Sequence, residues 1–190
     1  MPPDLSIKPW PKLSTRSLAQ YRIFSLRSDL KINPRTGSQH DFFVMECVDW
    51  VNVVPITTDG RLVMVEQYRH GSDTVELEIP GGMMDPHERD PLVAGLRELR
   101  EETGYEGSPA RLIGKIFPNP AIQSNTCHTL LVENCVLKHE MELDHAEDIA
   151  VRLVPVEQIP HLIASGRVRH ALVVVALTHY LLQRSSQVGS

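Results

Sequence analysis

One stretch decides the fold of this chain: Gly81-Gly82-Met83-Met84-Asp85-Pro86-His87-Glu88, then Asp90-Pro91, then Arg97-Glu98-Leu99-Arg100-Glu101-Glu102-Thr103-Gly104-Tyr105. Asp90 before Pro91 is typical of a helix start and Gly104 of a helix end, so the spacing predicts a helix over residues 91–103. The glycine pair that precedes it lets the backbone approach a metal ion or a phosphate closely, and a glycine carbonyl there can act as a ligand.

Three carboxylates gather on one side of the predicted helix. Glu98, Glu101 and Glu102 are three and four residues apart, which makes them neighbours on a helix, away from its apolar stripe of Leu92, Leu96 and Leu99. Their like charges repel, and Mg²⁺, which prefers oxygen ligands, would neutralise that repulsion. Arg97 stands four residues before Glu101 and can pair with it, which leaves Glu98 and Glu102 as the freer donors. The geometry alone leaves a metal site and a solvated acidic face both open.

Strand-like segments surround this helix. Thr58-Asp59-Gly60 is a hairpin signal between two of them, and two further helices are predicted at 157–164 and 168–183. The predicted strands are 42–49, 50–57, 61–69 and 75–79 before the helix, and 110–117, 126–137 and 150–154 after it. The pattern indicates a mixed α/β (α+β) fold.

The chain of 190 residues predicts one domain with an extension. Residues 15–49 read as extra strands, so we divide the chain into an N-terminal extension over 1–49 and a core domain over 50–184. Residues 185–190 read as a loose tail.

Composition excludes several function classes. Lys and Arg number 19 against 24 Asp and Glu, a net charge of -5, so no overall positive field attracts nucleic acid. Cys47, Cys127 and Cys135 are odd in number and lack CxxC spacing, which disfavours a disulfide framework and a structural zinc site. The apolar run at 171–182 is too short to span a bilayer, and no leader is apparent. We expect a soluble cytoplasmic protein with no membrane partner.

The stretch from Gly82 to Tyr105 resembles the Nudix box. That pattern is a Gly, five residues, a Glu, seven residues, then Arg-Glu-aliphatic-x-Glu-Glu-x-Gly-hydrophobic, and the part from Arg97 onward matches at every fixed position. Ile79-Pro80-Gly81-Gly82 and the strand-loop-helix context agree with the family as well. One departure is that eight residues, not seven, separate Glu88 from Arg97. If Asp90 caps the helix, the extra residue lies in the loop and the glutamate register is unchanged, so Glu88 is expected to support the site without being a ligand.

The resemblance extends over residues 42–184 in organisation. The first forty residues resemble the N-terminal strands of the ADP-ribose and nucleoside-diphosphate-sugar pyrophosphatase branch. It implies the Nudix α/β/α sandwich with a mixed β-sheet. Relatives with such strands commonly form homodimers in which the extension crosses the partner, so a homodimer is expected.

The chemistry that the resemblance implies is hydrolysis of a diphosphate linked to another group, with Mg²⁺, or Mn²⁺ in its place, as the cofactor. The implied metal ligands are Glu98, Glu102, Glu101 and the carbonyl of Gly81. Arg97 is implied in the catalytic group with Glu101, as the residue that orients the glutamates. The physics agrees, because phosphoryl transfer depends on positioning and charge neutralisation.

The general base is expected outside the box. Leu143-Asp144-His145-Ala146-Glu147-Asp148-Ile149 resembles the acidic loop that supplies the base in the ADP-ribose pyrophosphatase branch, and Glu147 is the residue that we assign to it. His145 stands where relatives can carry a second carboxylate. The alternative is a solvated acidic loop with no catalytic member.

Three residues are expected to bind a small-molecule nucleotide substrate. Arg69, after Gln67 and Tyr68, resembles the arginine that contacts substrate phosphate; the alternative is an exposed residue at a strand end. Gln123 lies in the long loop 118–125, where a plain turn is the alternative. Trp50 is a candidate to stack on a nucleobase, and packing in the interior is the alternative.

Three functions remain open at this stage. The leading one is hydrolysis of ADP-ribose or a related nucleoside-diphosphate sugar to a nucleoside monophosphate and a sugar phosphate. A nucleoside-triphosphate sanitising pyrophosphatase is the second, although such relatives are typically shorter and lack N-terminal strands. A non-catalytic module that senses ADP-ribose or a nucleotide is the third, and the intact glutamate cluster argues against it.

Overall fold

The structure is a computed structural model that describes residues 6–145 and 147–188. The chain forms two compact units, one of residues up to Val48 with Phe117–Asn125, the other of Asp49–Ile116 with Thr126–Ser190. Residues 1–5 of the predicted extension lie outside the described part. Within the described part, no helix is both long enough and apolar enough to cross a membrane.

The first unit contains a three-stranded antiparallel sheet. Its strands are β1 (Lys12–Gln20), β2 (Ser25–Ile32) and β3 (Gln39–Glu46), with β2 in the centre. β3 begins and ends three residues earlier than the predicted strand at 42–49, because its full length pairs with β2 from Ile32–Gln39 to Ser25–Glu46. The strand prediction for this region was therefore right in kind and shifted in position.

The second unit contains a mixed eight-stranded sheet. The core order is β11-β5-β4-β10-β8, with β6 beside β5, β7 beside β4 and β9 beside β10. Its strands are β4 (Trp50–Thr57), β5 (Arg61–Arg69), β6 (Thr74–Glu78), β7 (Gly81–Met83), β8 (Tyr105–Glu106), β9 (Ala110–Ile116), β10 (Cys127–Leu137) and β11 (Ile149–Pro155). β4 and β10 run parallel, whereas the other pairs are antiparallel.

Helices cover both faces of this sheet. The three helices are α1 (Pro91–Thr103), α2 (Ile159–Ala164) and α3 (Ala171–Val188), and a short 3-10 turn, Val156–Gln158, precedes α2. Val53 packs in a cluster with Leu99 of α1, while Val54, the next residue of β4, packs in a second cluster with Leu177 of α3. Successive strand residues point to opposite faces, so a strand covered on both faces is apolar throughout. The predicted α/β/α sandwich with a mixed sheet is confirmed.

Local signals set the ends of α1. The Asp90 carboxylate accepts the Leu92 N–H at 2.9 Å, and Pro91 occupies the first helical position. Gly104 adopts a left-handed conformation with φ of 71° and donates its N–H to the carbonyl of Arg100 at 2.8 Å. The helix therefore spans the predicted residues, and its register presents the glutamates as expected.

The end of the chain differs from the prediction. α3 begins at residue 171 instead of 168, because Val168 is buried and Arg169 is bound to Glu76, which makes them part of the preceding connection. The helix continues to Val188, so residues 185–188 are helical and not a loose tail. Residues 189–190 lie outside the described part. The short strands β7 and β8 were not predicted either, since neither is long enough to show a periodic pattern.

Candidate active site

The glycine pair and α1 meet at close range. A side chain on Gly82 would place its Cβ 2.7 Å from Oε1 of Glu98, and one on Gly81 would place it 2.2 Å from the carbonyl oxygen of Val51. At position 81 the obstacle is backbone, so glycine is required there, whereas at position 82 a side chain would displace the Glu98 carboxylate. The glycines therefore allow β7, which pairs with β4 in the sheet, to approach the acidic face of the helix closely.

Arg97 binds the carboxylates around it. Its Nε and Nη2 donate to Glu88 at 3.0 and 3.2 Å, and its Nη1 donates to Glu101 at 2.9 Å. Nη2 also lies 3.1 Å from Oε1 of Glu98 and 3.4 Å from the carbonyl oxygen of Met83. The guanidinium orients these groups, and their charges raise its own pKa above the ordinary value.

Glu98 and Glu102 are the buried members of the cluster, with 9% and 4% of their surface exposed. Burial raises the pKa of Glu98 to about 7, with Arg97 opposing the rise and the negative charges of Glu101 and Glu147 adding to it. Burial likewise raises the pKa of Glu102 to about 8, against a hydrogen bond from the Gly81 N–H at 3.0 Å. Two carboxylates here resist ionisation in the absence of a compensating positive charge.

The extra residue before Arg97 is absorbed in the loop that follows β7. Glu88 retains its contact with both Nε and Nη2 of Arg97, and it also accepts the Asp85 N–H at 2.8 Å. Arg97 is the largest influence that lowers the pKa of Glu88, so this carboxylate stays ionised. Glu88 thus supports Arg97 despite the altered spacing.

The acidic loop is attached to the end of α1. The N–H groups of Lys138 and His139 both donate to the Gly104 carbonyl, and the Glu142 N–H donates to the Glu101 carbonyl at 2.9 Å. Arg100 adds an ion pair with Glu142 at 2.7 Å. This attachment was not predicted, because Arg100 and Glu142 are far apart in sequence and each alone reads as an ordinary surface charge.

Glu147 lies in a tight turn near the carboxylate cluster. Its N–H donates to the Asp144 carbonyl at 2.9 Å, and its side chain accepts the Asp144 N–H at 3.1 Å. Its negative charge contributes to the raised pKa values of both Glu98 and Glu102. The loop therefore brings the assigned base into electrostatic range of the helix glutamates.

Arg69 also faces this region. Its Nε and Nη2 bind the two oxygens of Glu78, each at 2.8 Å, and Glu78 is only 2% exposed. Glu78 is the largest cause of the raised pKa of Arg69, and the charges of Glu102 and Glu147 add to it. The sequence analysis missed Glu78; the signal that marks it is a glutamate two residues after Glu76 in a short strand, since both then point to one face.

Two further residues, Trp50 and Gln123, are predicted to bind substrate. Trp50 is half-buried at the start of β4, where its backbone pairs with Met83 of β7. Gln123 belongs to the first unit, and its side-chain nitrogen lies 4.0 Å from the Cys47 sulfur. Their assignment to substrate binding stays a prediction.

The donor set fits a divalent cation in its chemistry. Glu98 and Glu102 supply hard oxygen donors, and both are buried with raised pKa values, the condition that a cation relieves. Across residues 6–145 and 147–188, no three His, Cys, Asp or Glu side chains converge as a ready metal cluster. Glu98 and Glu101 both contact the Arg97 guanidinium in this arrangement.

The raised pKa values predict how stability depends on pH in the metal-free protein. The folded state holds protons on Glu98 and Glu102 that the unfolded chain releases near 4.5, so stability falls as the pH rises from about 4.5 to about 8. Carboxylates whose pKa is lowered, such as Glu76 at about 2, are ionised throughout this range and do not oppose the fall.

Thermal unfolding with a chelator from pH 5 to pH 9 measures this effect. We expect the melting temperature to decline with pH, a shallower decline in Glu102→Gln, and recovery at high pH on addition of Mg²⁺. Glu157→Gln, which alters an exposed pair with Arg184, serves as the control and should follow the wild type. A melting temperature that stays level or rises over this range would contradict the burial argument.

Comparisons with known proteins agree with this geometry. The family model described as NUDIX domain matches residues 49–177. The ADP-ribose pyrophosphatase of Bacillus subtilis (strain 168) is 32% identical over 182 residues, which is 92% of this chain and 97% of the relative. The methanol dehydrogenase activator of Bacillus methanolicus is 30% identical over 136 residues, 71% of this chain and 73% of the relative.

Among solved structures, the crystal structure of an ADP compounds hydrolase superposes with a TM-score of 0.83 at 22% identity, covering 96% of this chain and 97% of the other. At that identity the superposition establishes the fold. The family match and the sequence relatives go further: the chain belongs to the Nudix hydrolase family, and its similarity lies with the ADP-ribose pyrophosphatase branch.

Proposed function

We propose that this Nudix pyrophosphatase hydrolyses the diphosphate of ADP-ribose, or of a related nucleoside-diphosphate sugar, to a nucleoside monophosphate and a sugar phosphate. The observation that carries the proposal is the pair of buried carboxylates, Glu98 and Glu102, whose pKa values are raised to about 7 and about 8. The relatives named for ADP-ribose support the substrate class.

We assign Mg²⁺, with Mn²⁺ as a substitute, to Glu98 and Glu102, together with Glu101 and the Gly81 carbonyl. When bound, a divalent cation neutralises charge on phosphate oxygens and lowers the pKa of water. Glycine at position 82 avoids a contact with the Glu98 carboxylate, because a Cβ there would lie 2.7 Å from Oε1 of Glu98. A bound cation would also offset the burial of charge, the main cause of both raised pKa values, and the repulsion that adds to it.

Arg97 and Glu101 belong to the catalytic group through orientation. Arg97 contacts Glu88, Glu98 and Glu101 and holds them in one arrangement. These carboxylates are therefore already oriented before the metal ion and the substrate bind. Both Glu98 and Glu101 contact Arg97, but the Glu101 side chain is more exposed, at 35% against 12%, so its charge is better screened by water. Glu98 and Glu102 are therefore the primary ligands in this proposal.

Glu147 is proposed as the general base. In the hydrolytic step a water oxygen forms a bond to one phosphorus, the bond from that phosphorus to the bridging oxygen breaks, and Glu147 accepts the proton of the water. Its location supports this role, since its charge acts on Glu98, Glu102 and Arg69. It is also partly exposed, so water can reach it.

Substrate binding is assigned to Arg69, Gln123 and Trp50. Arg69 is the best supported of the three, because its cation lies within range of the site carboxylates and its fork suits a phosphate. Gln123 is proposed to contact the sugar or terminal phosphate, and Trp50 to stack on the base. These assignments leave the identity of the base and the sugar open.

Activity measurements test the function. We expect nucleoside monophosphate release in Mg²⁺ from at least one of ADP-ribose, ADP-glucose, GDP-mannose and NADH, and loss of release in Glu102→Gln. Pyrophosphate release from a nucleoside triphosphate would instead favour the sanitising function. Tight ADP-ribose binding without cleavage would favour the sensing function and overturn the proposal.

Removal of the base tests the mechanism. Glu147→Gln should lower kcat by roughly 10²- to 10⁴-fold, the usual contribution of a general base, with little change in KM. Glu140→Gln, an exposed glutamate in the same loop, provides the matched control and should retain wild-type kcat. Unchanged kcat in Glu147→Gln would remove this residue from the mechanism.

We also propose that the protein is a homodimer formed through the three-stranded sheet. None of the fully buried apolar side chains in the described residues lies in the first unit, whereas several of its large apolar side chains are exposed. They include Leu13, Tyr21, Ile23, Phe42 and Phe43. Burial of exposed apolar side chains is favourable, and the same surface of a second copy of the chain would bury them.

Light scattering tests the dimer. We expect a mass of two chains at micromolar concentration, and a shift toward monomer in Phe43→Asp, which places a charge on the exposed sheet. Val93→Asp, on an exposed position of α1, is the control and should remain dimeric. A monomer mass that does not change with concentration would contradict the proposal.

A further inference from the structure

We propose that Glu78 is a positioning residue. It holds the guanidinium of Arg69 so that the edge not bound to Glu78 faces the substrate diphosphate. This inference rests on the proposed function and adds to it a residue that lies outside the family box and outside the site residues assigned from the sequence. Glu78 acts through Arg69 and does not itself contact the substrate.

The geometry of the ion pair selects the edge. Nε and Nη2 of Arg69 donate to Oε1 and Oε2 of Glu78, each at 2.8 Å, so one side of the planar group is occupied by a bidentate contact. A guanidinium carries five N–H donors in a fixed fork. The end formed by Nη1 and the second hydrogen of Nη2 therefore remains available for an oxyanion. Since the group is rigid and planar, fixing one edge also fixes the direction of the other.

Burial makes Glu78 a firm anchor. The carboxylate is only 2% exposed, and Nδ1 of His170 lies 3.9 Å from its Oε2 on a further side. Arg69, by contrast, is 42% exposed at its side chain, so it is accessible to a ligand while held from behind. A buried charge that loses its partner is strongly disfavoured, which keeps the pair closed.

Glu78 also keeps Arg69 away from the metal carboxylates. The positive charge of Arg69 interacts with Glu102 and Glu147 as well as with Glu78. Without its anchor, the long side chain would be free to pair with either of those carboxylates. Such a pair would compete with a divalent cation for Glu102 and with a proton for Glu147. The anchor thus prevents a contact that would block the site.

β6 provides a matched control pair. Glu76 points to the same face two residues earlier, is 6% exposed, and binds Arg169 through Nε at 3.0 Å and Nη2 at 2.7 Å. The bond to Glu76 raises the pKa of Arg169, whereas the charges of Glu102 and Glu147 add to the raised pKa of Arg69. Glu76 and Glu78 therefore share strand, face, burial and partner type, and differ in whether the arginine faces the site.

The test compares Glu78→Gln with Glu76→Gln in the full-length protein, using ADP-ribose and Mg²⁺. We expect Glu78→Gln to raise KM by about tenfold or more, the scale of one charge-assisted hydrogen bond, with a smaller change in kcat. Glu76→Gln should keep KM within about twofold while losing similar thermal stability. Equal KM values in the two variants would overturn the proposal.

A double substitution separates positioning from a general structural effect. Arg69→Lys should raise KM, and adding Glu78→Gln should raise it little further, because both changes act through the same guanidinium. If the double variant raised KM by the product of the two single-variant factors, the two residues would act independently, which would contradict the proposal. If the wild type cleaves no diphosphate sugar, the proposed function fails by itself. ADP-ribose affinity by calorimetry then decides the inference in the same variants, and equal affinity in Glu78→Gln and wild type would overturn it.

Discussion

The structure depends on placing two carboxylates, one helical turn apart, in a location where they are largely shielded from water. Glu98 and Glu102 face β7 across a glycine that leaves no space for a side chain. Burial and mutual repulsion both oppose their ionisation. Apolar residues at these two positions would pack at a lower energetic cost. The presence of two buried carboxylates therefore indicates that a positively charged group, such as a divalent cation, binds beside them.

The surroundings of this pair follow from that constraint. α1 packs closely against the sheet, and this packing brings its glutamates to the site. A Cβ on Gly95 would lie 2.5 Å from Cδ2 of Leu130, so glycine at this position permits the close approach. Arg97 fixes Glu88 and Glu101 around the buried pair, and the Gly81 N–H stabilises Glu102. Charges that lie farther out are paired with partners of their own, as Arg69 is with Glu78 and Arg100 with Glu142.

Much of this arrangement could be predicted because its signals are local. Asp90, Pro91 and Gly104 set both ends of α1, and the spacing of Glu98 and Glu102 placed them on one face whatever the rest of the chain does. The long strands of the second unit were identified because burial on both sides gives β4 and β10 apolar runs, such as Val53–Val54 and Leu130–Val132. The added residue before Arg97 leaves the Asp90 cap and the contact between Arg97 and Glu88 in place.

What escaped prediction involves partners far apart in sequence. Glu142, just before the acidic loop, binds α1 through the Arg100 side chain and the Glu101 carbonyl. Neither segment carries a sequence signal that predicts this contact. Glu78 reads as a polar residue in a strand until its register shows it buried. Helix α3 was misplaced at both ends, because the bond of Arg169 to Glu76 decides where the connection stops.

Proton release on metal binding tests the central claim most directly. Calorimetric titration of Mg²⁺ or Mn²⁺ near pH 7, in two buffers of different ionisation enthalpy, gives the number of protons displaced. Near pH 7, a pKa of about 8 leaves Glu102 mostly protonated and a pKa of about 7 leaves Glu98 about half protonated. We therefore expect release of roughly one to two protons per binding event and a clear decrease in Glu102→Gln. Binding without proton release, or binding and release unchanged in the variant, would contradict it.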